Sequence, residues 1–539
     1  MAGLADAFDR IGTFLEHQLP LTHAAGAAVA VTDRDEILGV VVRGFADAAS
    51  GSPVRPETRF EIGSISKSLA AVVAIQEAEA GRLDLHAAVT TYLPGLELPM
   101  PFGPISTHHL MTHTSGLAVG TEDAPTGAGA VWRLSSVPPT FAPGERFWYS
   151  NDGWKLVGLA LERLTDTPIH DLVRERVLAP LGMRSSEAEI TNDARADLAT
   201  GYETMYDDRP PRIDHPLVPA RWLVSNTADG SVVSSAVDMS AYARMLIRRG
   251  EGVSTRVLSE NGFTLLTTPV AIDAGEPGFA YAYGLWVGEA GGRPEIWHTG
   301  GMVGYTAMLA VRPDDGLGCV MLMNGSGERR ATVRFALDAV SAALSADPLP
   351  EAEPPTPARA VSNAAEFVGV FRGGGRRIEI EPAGDGIRLL DGALGVVLER
   401  VEDDRFLVPH PARDRFLLSF GRDGEGRVVE AFHGNEWFAS EAFAGADPMP
   451  HPVEWDAFPG LYRANNPWTP VLRIMLRKGQ LIASWPGEST EEPLIPLLDG
   501  WFAVGEEWKP QRLVFEGSID GRATVAEFNG ARWYRSFED

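Results

Sequence analysis

Hydrophobic and polar positions follow two different periods along this chain, and each switch between them marks an element. Residues 4–18 carry apolar side chains at helical spacing, which predicts an amphipathic helix. AGAAVAVTDRDEILGVVVRGFAD comes next, two strand-like apolar runs around a polar turn, which is a hairpin pattern. From about Ser66 to Glu79 the chain is rich in apolar residues at helix length, and Gly81 marks the end. The middle alternates helix patterns (KLVGLALERLTD, VDMSAYARMLIRRG) with long Gly- and Pro-rich loops. Residues 297–324 return to strand patterns, with a turn at PDDG, and the helix VRFALDAVSAALSA succeeds them. Strands at both ends with helices between predict one antiparallel sheet closed by both ends of the region, an α+β arrangement.

Patterning also divides the chain. Prolines at 348, 350, 354, 355 and 357 make residues 346–358 a semi-rigid linker. It separates a domain at 1–345 from the C-terminal third of the chain. A second break, DPMPHP at 447–452, splits that third into 359–446 and 453–539. These two pieces read as repeats. One opens FVGVFR (367–372) and the other FPGLYR (458–463). Phe432, Gly434, Trp437 and Phe438 near the end of the first match Phe528, Gly530, Trp533 and Tyr534 in the second. Each piece has the length and short alternating strands of a small closed antiparallel β-barrel, lipocalin-like, with these aromatics in its core.

Composition narrows the function. The 539 residues are 44% hydrophobic, enough for a sizeable core, and carry a net charge of −26. That charge argues against nucleic acid and anionic membranes as partners. The sole cysteine, Cys319, permits no intrachain disulfide. Asp6 and Asp9 stand where a secretory signal would be basic, and no apolar run is long enough to span a membrane. The expectation is a soluble cytoplasmic protein acting on a small molecule or short peptide. A homodimer is compatible with the sequence.

Three motifs carry chemistry. Ser64-Ile65-Ser66-Lys67 places a serine and a lysine three apart at a helix start, on one face, with amide dipoles aimed at the same point. Read alone, Ser64 is better taken as a capping or loop serine. Tyr149-Ser150-Asn151 brings a proton-relaying phenol and an amide to the start of another helix near Asp152. The bland alternative is a buried tyrosine with Asn151 or Asp152 as cap. His298-Thr299-Gly300-Gly301 leads into an edge-type strand whose glycines let backbone approach a ligand. The alternative there is a strand-end histidine and a glycine bulge.

Together, in this order and spacing, the motifs resemble the serine β-lactamase and penicillin-binding-protein superfamily, in its class C-like branch. LMTHTSGL (110–117), LAPLGM (178–183), SSAVDMSAYARML (234–246) and HTGGMVGY (298–305) add to the likeness, which covers about residues 5–345. The two-barrel tail most resembles the D-aminopeptidase subgroup. The resemblance implies a β-lactamase-like domain followed by two small barrels, with Ser64 as nucleophile and Lys67 as general base. It implies Tyr149 as acid/base, Asn151 as orienter of Lys67 and substrate, and His298 beside Tyr149. The amides of Ser64 and Gly301, with Gly300 adjoining, would hold the oxyanion, and no metal or cofactor is required. Family members that bind penicillins or peptide C-termini usually have lysine where His298 stands. A neutral histidine disfavours those carboxylates and favours amides, esters or peptides engaged from the N-terminal side.

The expected function is therefore an acyl-serine hydrolase of amides or small peptides, D-stereospecific by resemblance. An esterase, an acyltransferase or peptide cyclase, and a non-enzymatic sensor or scaffold are the alternatives. His108, His109 and His113 invite a zinc reading because 109 and 113 are one helix turn apart. With no third ligand they read better as surface or structural histidines. Ser115 lacks a nucleophile-elbow frame, and Cys319 reads as a small core residue.

Overall fold

In the computed structural model, residues 2–120, 126–252, 255–272, 274–445 and 450–537 are described. The break at 447–452 and the outer limits of both C-terminal pieces fall partly outside these. The chain forms two compact units: residues through Glu203 with Leu217–Pro354, and Thr204–Pro216 with Pro355 onward.

The first unit is built on an antiparallel sheet whose strands run in the order Ser52–Pro53, Ile37–Asp47, His23–Thr32, Leu317–Ser326, Tyr305–Arg312, Arg293–Met302, Trp286–Ala290 and Phe279–Tyr281. The expected N-terminal hairpin is the pair His23–Thr32 and Ile37–Asp47. The sheet is closed across the sequence by pairing its first long strand with its last, with Val29 opposite Met321. These two strands are buried on both faces, which explains why their sequences are apolar runs rather than clean alternation.

Helices cover the sheet on both sides. Ala2–Gln18 and Arg330–Ser345 bury Ile11, Leu15, Val333 and Leu337 against one face. Ser66–Glu79 lies within the larger core on the other, with Ala236–Ile247. Ser66 through Ile75 are all buried, so only the last turn of this helix reaches solvent and the helix shows no amphipathic pattern. Cys319 is fully buried mid-strand, and burial raises its thiol pKa.

In the second unit, residues 460–536 form a closed barrel of eight strands. Residues 369–439 form a sheet whose edge strands, Leu394–Val397 and Glu399–Glu402, do not pair with each other. They are one bent strand. Its first half pairs with Gly386–Asp391 and its second with Arg405–Leu407. Leu398 at the bend is fully buried, and its N–H donates to Ile387 O. Arg372 opposite Ala439 completes the circuit, so this barrel is closed through the chain itself.

The repeat is real in strand order but not in every side chain. The first copy turns at Gly434-Asn435, with His433 opposite Glu436, whereas the second turns at Asn529-Gly530, with Phe528 opposite Ala531. That one-residue slip flips the matched aromatics. Phe438 is buried but Tyr534 is exposed, and Trp533 is buried while Trp437 is only half-buried. The expectation that all these aromatics are barrel core therefore fails for Phe432, Trp437 and Tyr534, which lie outside the barrel cores.

Candidate active site

Ser64 lies in a single 3-10 turn, Gly63–Ile65, that runs straight into the Ser66–Glu79 helix. Ile62, Gly63 and Ile65 are buried, while Ser64 is half-exposed. Its neighbours point elsewhere. Ser66 Oγ accepts the Val232 N–H, and Ser68 Oγ donates to Ile65 O. No side chain caps this helix, so the capping reading of Ser64 is not what the structure shows.

Lys67 is fully buried, and its Nζ donates to three acceptors: Ser64 Oγ at 2.9 Å, Asn151 Oδ1 at 2.8 Å and Asp229 O at 2.7 Å. A lysine buried this deeply is tolerable only with such complete pairing. Asn151 begins the helix Asn151–Thr165, and Ser150, not Asn151 or Asp152, is its cap, with Oγ accepting the Gly153 N–H. Capping by Ser150 leaves the Asn151 side chain free for Lys67. The Tyr149 ring stands beside the same ammonium, its centroid 5.1 Å from Nζ. Among the described residues the Tyr149 hydroxyl makes no hydrogen bond.

His298 is 2% exposed within the strand Arg293–Met302. Its Nδ1 lies 2.5 Å from Thr299 O, which can only accept, so Nδ1 carries the proton and Nε2 accepts from Tyr281 O–H at 2.9 Å. Burial first, then repulsion by Lys67, lowers its pKa to about 3. The histidine is neutral, with both ring nitrogens occupied.

The strand carrying it is not at the edge of the sheet, but its second half behaves as one. Trp286–Ala290 pairs only as far as Trp297, leaving residues 298–302 unpaired on that side. No bulge occurs, because the register to the Tyr305–Arg312 strand is continuous through Gly300 and Gly301. Counting back from the two-residue turn between Met302 and Tyr305, Gly300 bonds into the ladder and the Gly301 amide faces the open side. There it meets the Ser64 turn. A Cβ on Gly63 (φ +52°) would stand 2.6 Å from Gly301 N, and one on Gly300 would stand 1.8 Å from Ile62 O. Gly300 thus contributes its missing side chain and Gly301 its amide.

Several residues here escaped the sequence reading. His113 follows the short helix Thr107–Met111 with φ +56°, so it does not share a helix face with His109. It is fully buried and stacks on Tyr149, centroids 4.0 Å apart. Its Nδ1 accepts the Ser150 N–H and its carbonyl accepts the Trp148 N–H. It therefore clamps the loop that delivers Tyr149. The signal was the HTSGL stretch, whose histidine the sequence favours as structural without showing what it holds. Asp229 acts through its main-chain carbonyl, which no side-chain motif can reveal. Tyr281 had no signal beyond an aromatic run. His108 bonds Tyr283 and His109 bonds Ser106.

Comparison with known proteins identifies the family and the fold. A family model described as Beta-lactamase matches residues 14–343. Esterase EstB of Burkholderia gladioli is 32% identical over 199 residues, covering 32% of this chain and 50% of the esterase. A D-aminopeptidase of Brucella ovis is 27% identical over 366 residues, covering 65% of this chain and 64% of that protein. Among solved structures, the octameric penicillin-binding protein homologue from Pyrococcus abyssi superposes with a TM-score of 0.59 at 23% identity. That match covers 80% of this chain and 99% of the homologue. No helix among the described residues is long and apolar enough to cross a membrane.

Proposed function

Because the chain belongs to the beta-lactamase family and is a serine hydrolase, we propose that it cleaves amides or small peptides, with D-stereospecificity, through an acyl-Ser64 intermediate. The observation that carries this reading is the placement of Ser64 Oγ 2.9 Å from a buried lysine with two further fixed acceptors. A neutral amine has two N–H groups and one lone pair. Acting as general base, Lys67 takes that neutral form: its two N–H groups stay on Asn151 Oδ1 and Asp229 O, and the bond to Ser64 reverses, so that the lone pair accepts from the Ser64 hydroxyl. Ser64 Oγ then attacks the substrate carbonyl as its proton passes to Lys67 Nζ. The oxyanion that forms is held by the N–H groups of Ser64 and Gly301. Tyr149 hands a proton to the departing amine, and the new acyl ester is hydrolysed by water that loses its proton by the reverse route.

Two features support carboxylate-free substrates. His298 is neutral and its nitrogens are engaged by Tyr281 and Thr299, so it offers no cation to a substrate carboxylate. The similarity to a D-aminopeptidase points the same way. Ester hydrolysis is the second reading, favoured by the likeness to EstB. Transfer of the acyl group to an amine instead of water uses the same intermediate. A homodimer is part of the proposal, and light scattering on the purified chain tests it.

The test compares wild type with Ser64→Ala on D- and L-alanine amides and on p-nitrophenyl esters. A fluorophosphonate adduct located on Ser64 by mass spectrometry accompanies it. The expected result is D-amide turnover that disappears in the variant. Wild-type turnover no better than the variant on both panels, with no adduct, overturns the proposal and leaves the non-enzymatic scaffold standing.

A further inference from the structure

The C-terminal unit contains a second candidate site, lined by residues of that unit. A cavity of about 310 Å³ opens between its two barrels, with four arginines in its wall: Arg415 from the first barrel, and Arg473, Arg522 and Arg535 from the second. Only one carboxylate lines it, Asp456, and that is already bonded to His451 at 2.9 Å.

This charge is out of keeping with the rest of the chain, where acidic residues outnumber Lys and Arg by 73 to 47. Elsewhere in the unit arginines are typically claimed by carboxylates: Arg422 by Asp404, Arg463 by Asp207, Arg477 by Glu491 and Arg532 by Glu527. Arg415 and Arg522 are exposed, and neither makes a side-chain hydrogen bond or ion pair among the described residues.

Arg473 is the anchor. It is held in place, its guanidinium 4.8 Å over the Phe416 ring and Nη2 donating to Asp208 O at 3.0 Å. Yet its Nε is buried with no acceptor. Desolvation, opposed by the Asp208 carboxylate and joined by repulsion from Arg415, Arg209 and Arg463, lowers its pKa to about 10. A buried guanidinium N–H without an acceptor is a group awaiting one. Arg535 differs, because its guanidinium bonds four carbonyls and the Tyr462 hydroxyl and so serves as wall rather than ligand.

We propose that this cavity binds a small organic anion, its phosphate or carboxylate oxygens received by Arg473, Arg415 and Arg522 and its carbon skeleton lying against Phe416. Guanidinium groups suit such oxyanions because their planar N–H forks match the acceptor geometry. The volume exceeds what a bare inorganic ion fills and sits at the lower end of small-molecule sites, roughly 300 Å³ and upward.

Calorimetric titration of the full-length protein with citrate and with glucose 6-phosphate, at constant ionic strength, tests this. Glucose serves as the uncharged control. Saturable binding of one or both anions, and none of glucose, is expected, and the arm that binds identifies the oxyanion. Arg415→Ala combined with Arg522→Ala should weaken binding at least about tenfold, since each removes a charge-assisted hydrogen bond. Arg415→Lys with Arg522→Lys, which keeps charge but not the fork, should fall between. Both pairs are on the surface, and circular dichroism checks their fold. Absence of saturable binding to either anion overturns the proposal, as does equal affinity in wild type and both double variants.

Discussion

Gly300→Ala puts the tightest contact of the active site under strain. Gly300 has an ordinary strand conformation, so alanine is acceptable to its own backbone, and the whole effect comes from what its methyl would meet. That methyl would sit 1.8 Å from Ile62 O, whereas real Cβ atoms essentially never come within 3.0 Å of a neighbour. The strand and the Ser64 turn must therefore separate by about 1.2 Å. A shift of roughly 1 Å at reacting groups can lower a rate about 100-fold, and loss of one oxyanion donor lowers it by about 10² to 10³. The expected fall in acylation rate is therefore about 100-fold or more. Strain of this kind also removes roughly 1–3 kcal/mol of stability. Gly301→Ala is the internal control, since its methyl would meet nothing within 4 Å. Single-turnover acylation by an activated ester, with thermal melting, measures both. Wild-type acylation in Gly300→Ala, or equal losses in the two variants, would refute the placement of the Gly301 amide against the Ser64 turn.

The same geometry sets three further outcomes. Asn151→Ala removes one of three acceptors around buried Lys67 and should lower kcat/KM about 10- to 100-fold, matching roughly 1.5–3 kcal/mol for a hydrogen bond to a charged group; an unchanged value would show that Asn151 does not hold Lys67. Held at a pKa of about 3, His298 stays neutral in the folded state while the unfolded chain protonates it below about 6.5, so its contribution to stability is lost as pH falls from 6.5 toward 3. By pH 5 this amounts to roughly 2 kcal/mol, and His298→Asn should flatten the fall in Tm between pH 7 and 5; superimposable wild-type and variant profiles would contradict it. His113→Asn keeps a residue tolerant of φ +56° but removes the ring stacked on Tyr149, so kcat should fall more than melting temperature does; the reverse pattern would make His113 merely structural.

The outline of the catalytic unit was legible because its signals are local. The apolar run from Ser66 to Glu79 and the glycine after it give that helix its observed limits. Motif spacing brought Ser64, Lys67, Tyr149, Asn151 and His298 into view together. What failed was non-local. The four-residue spacing of His109 and His113 implies a shared helix face, but a left-handed residue past the helix end sends His113 inward to Tyr149, a structural histidine at a place its spacing does not show. The repeated aromatics predicted two like barrels, and a one-residue difference in hairpin register reversed which of them face inward.

The sequence by itself determined the elements, the repeat and the set of reactive side chains, since propensity, periodicity and motif chemistry are properties of neighbouring residues. Only the tertiary structure decided how those side chains are held. The third acceptor for Lys67 is a main-chain carbonyl 162 residues away. The free side of residues 298–302 exists because a neighbouring strand stops at Trp297. The neutrality of His298 comes from burial beside Lys67. Each depends on where distant backbone is placed in space, and backbone N–H and C=O groups are the same in every residue but proline, so no residue type announces them.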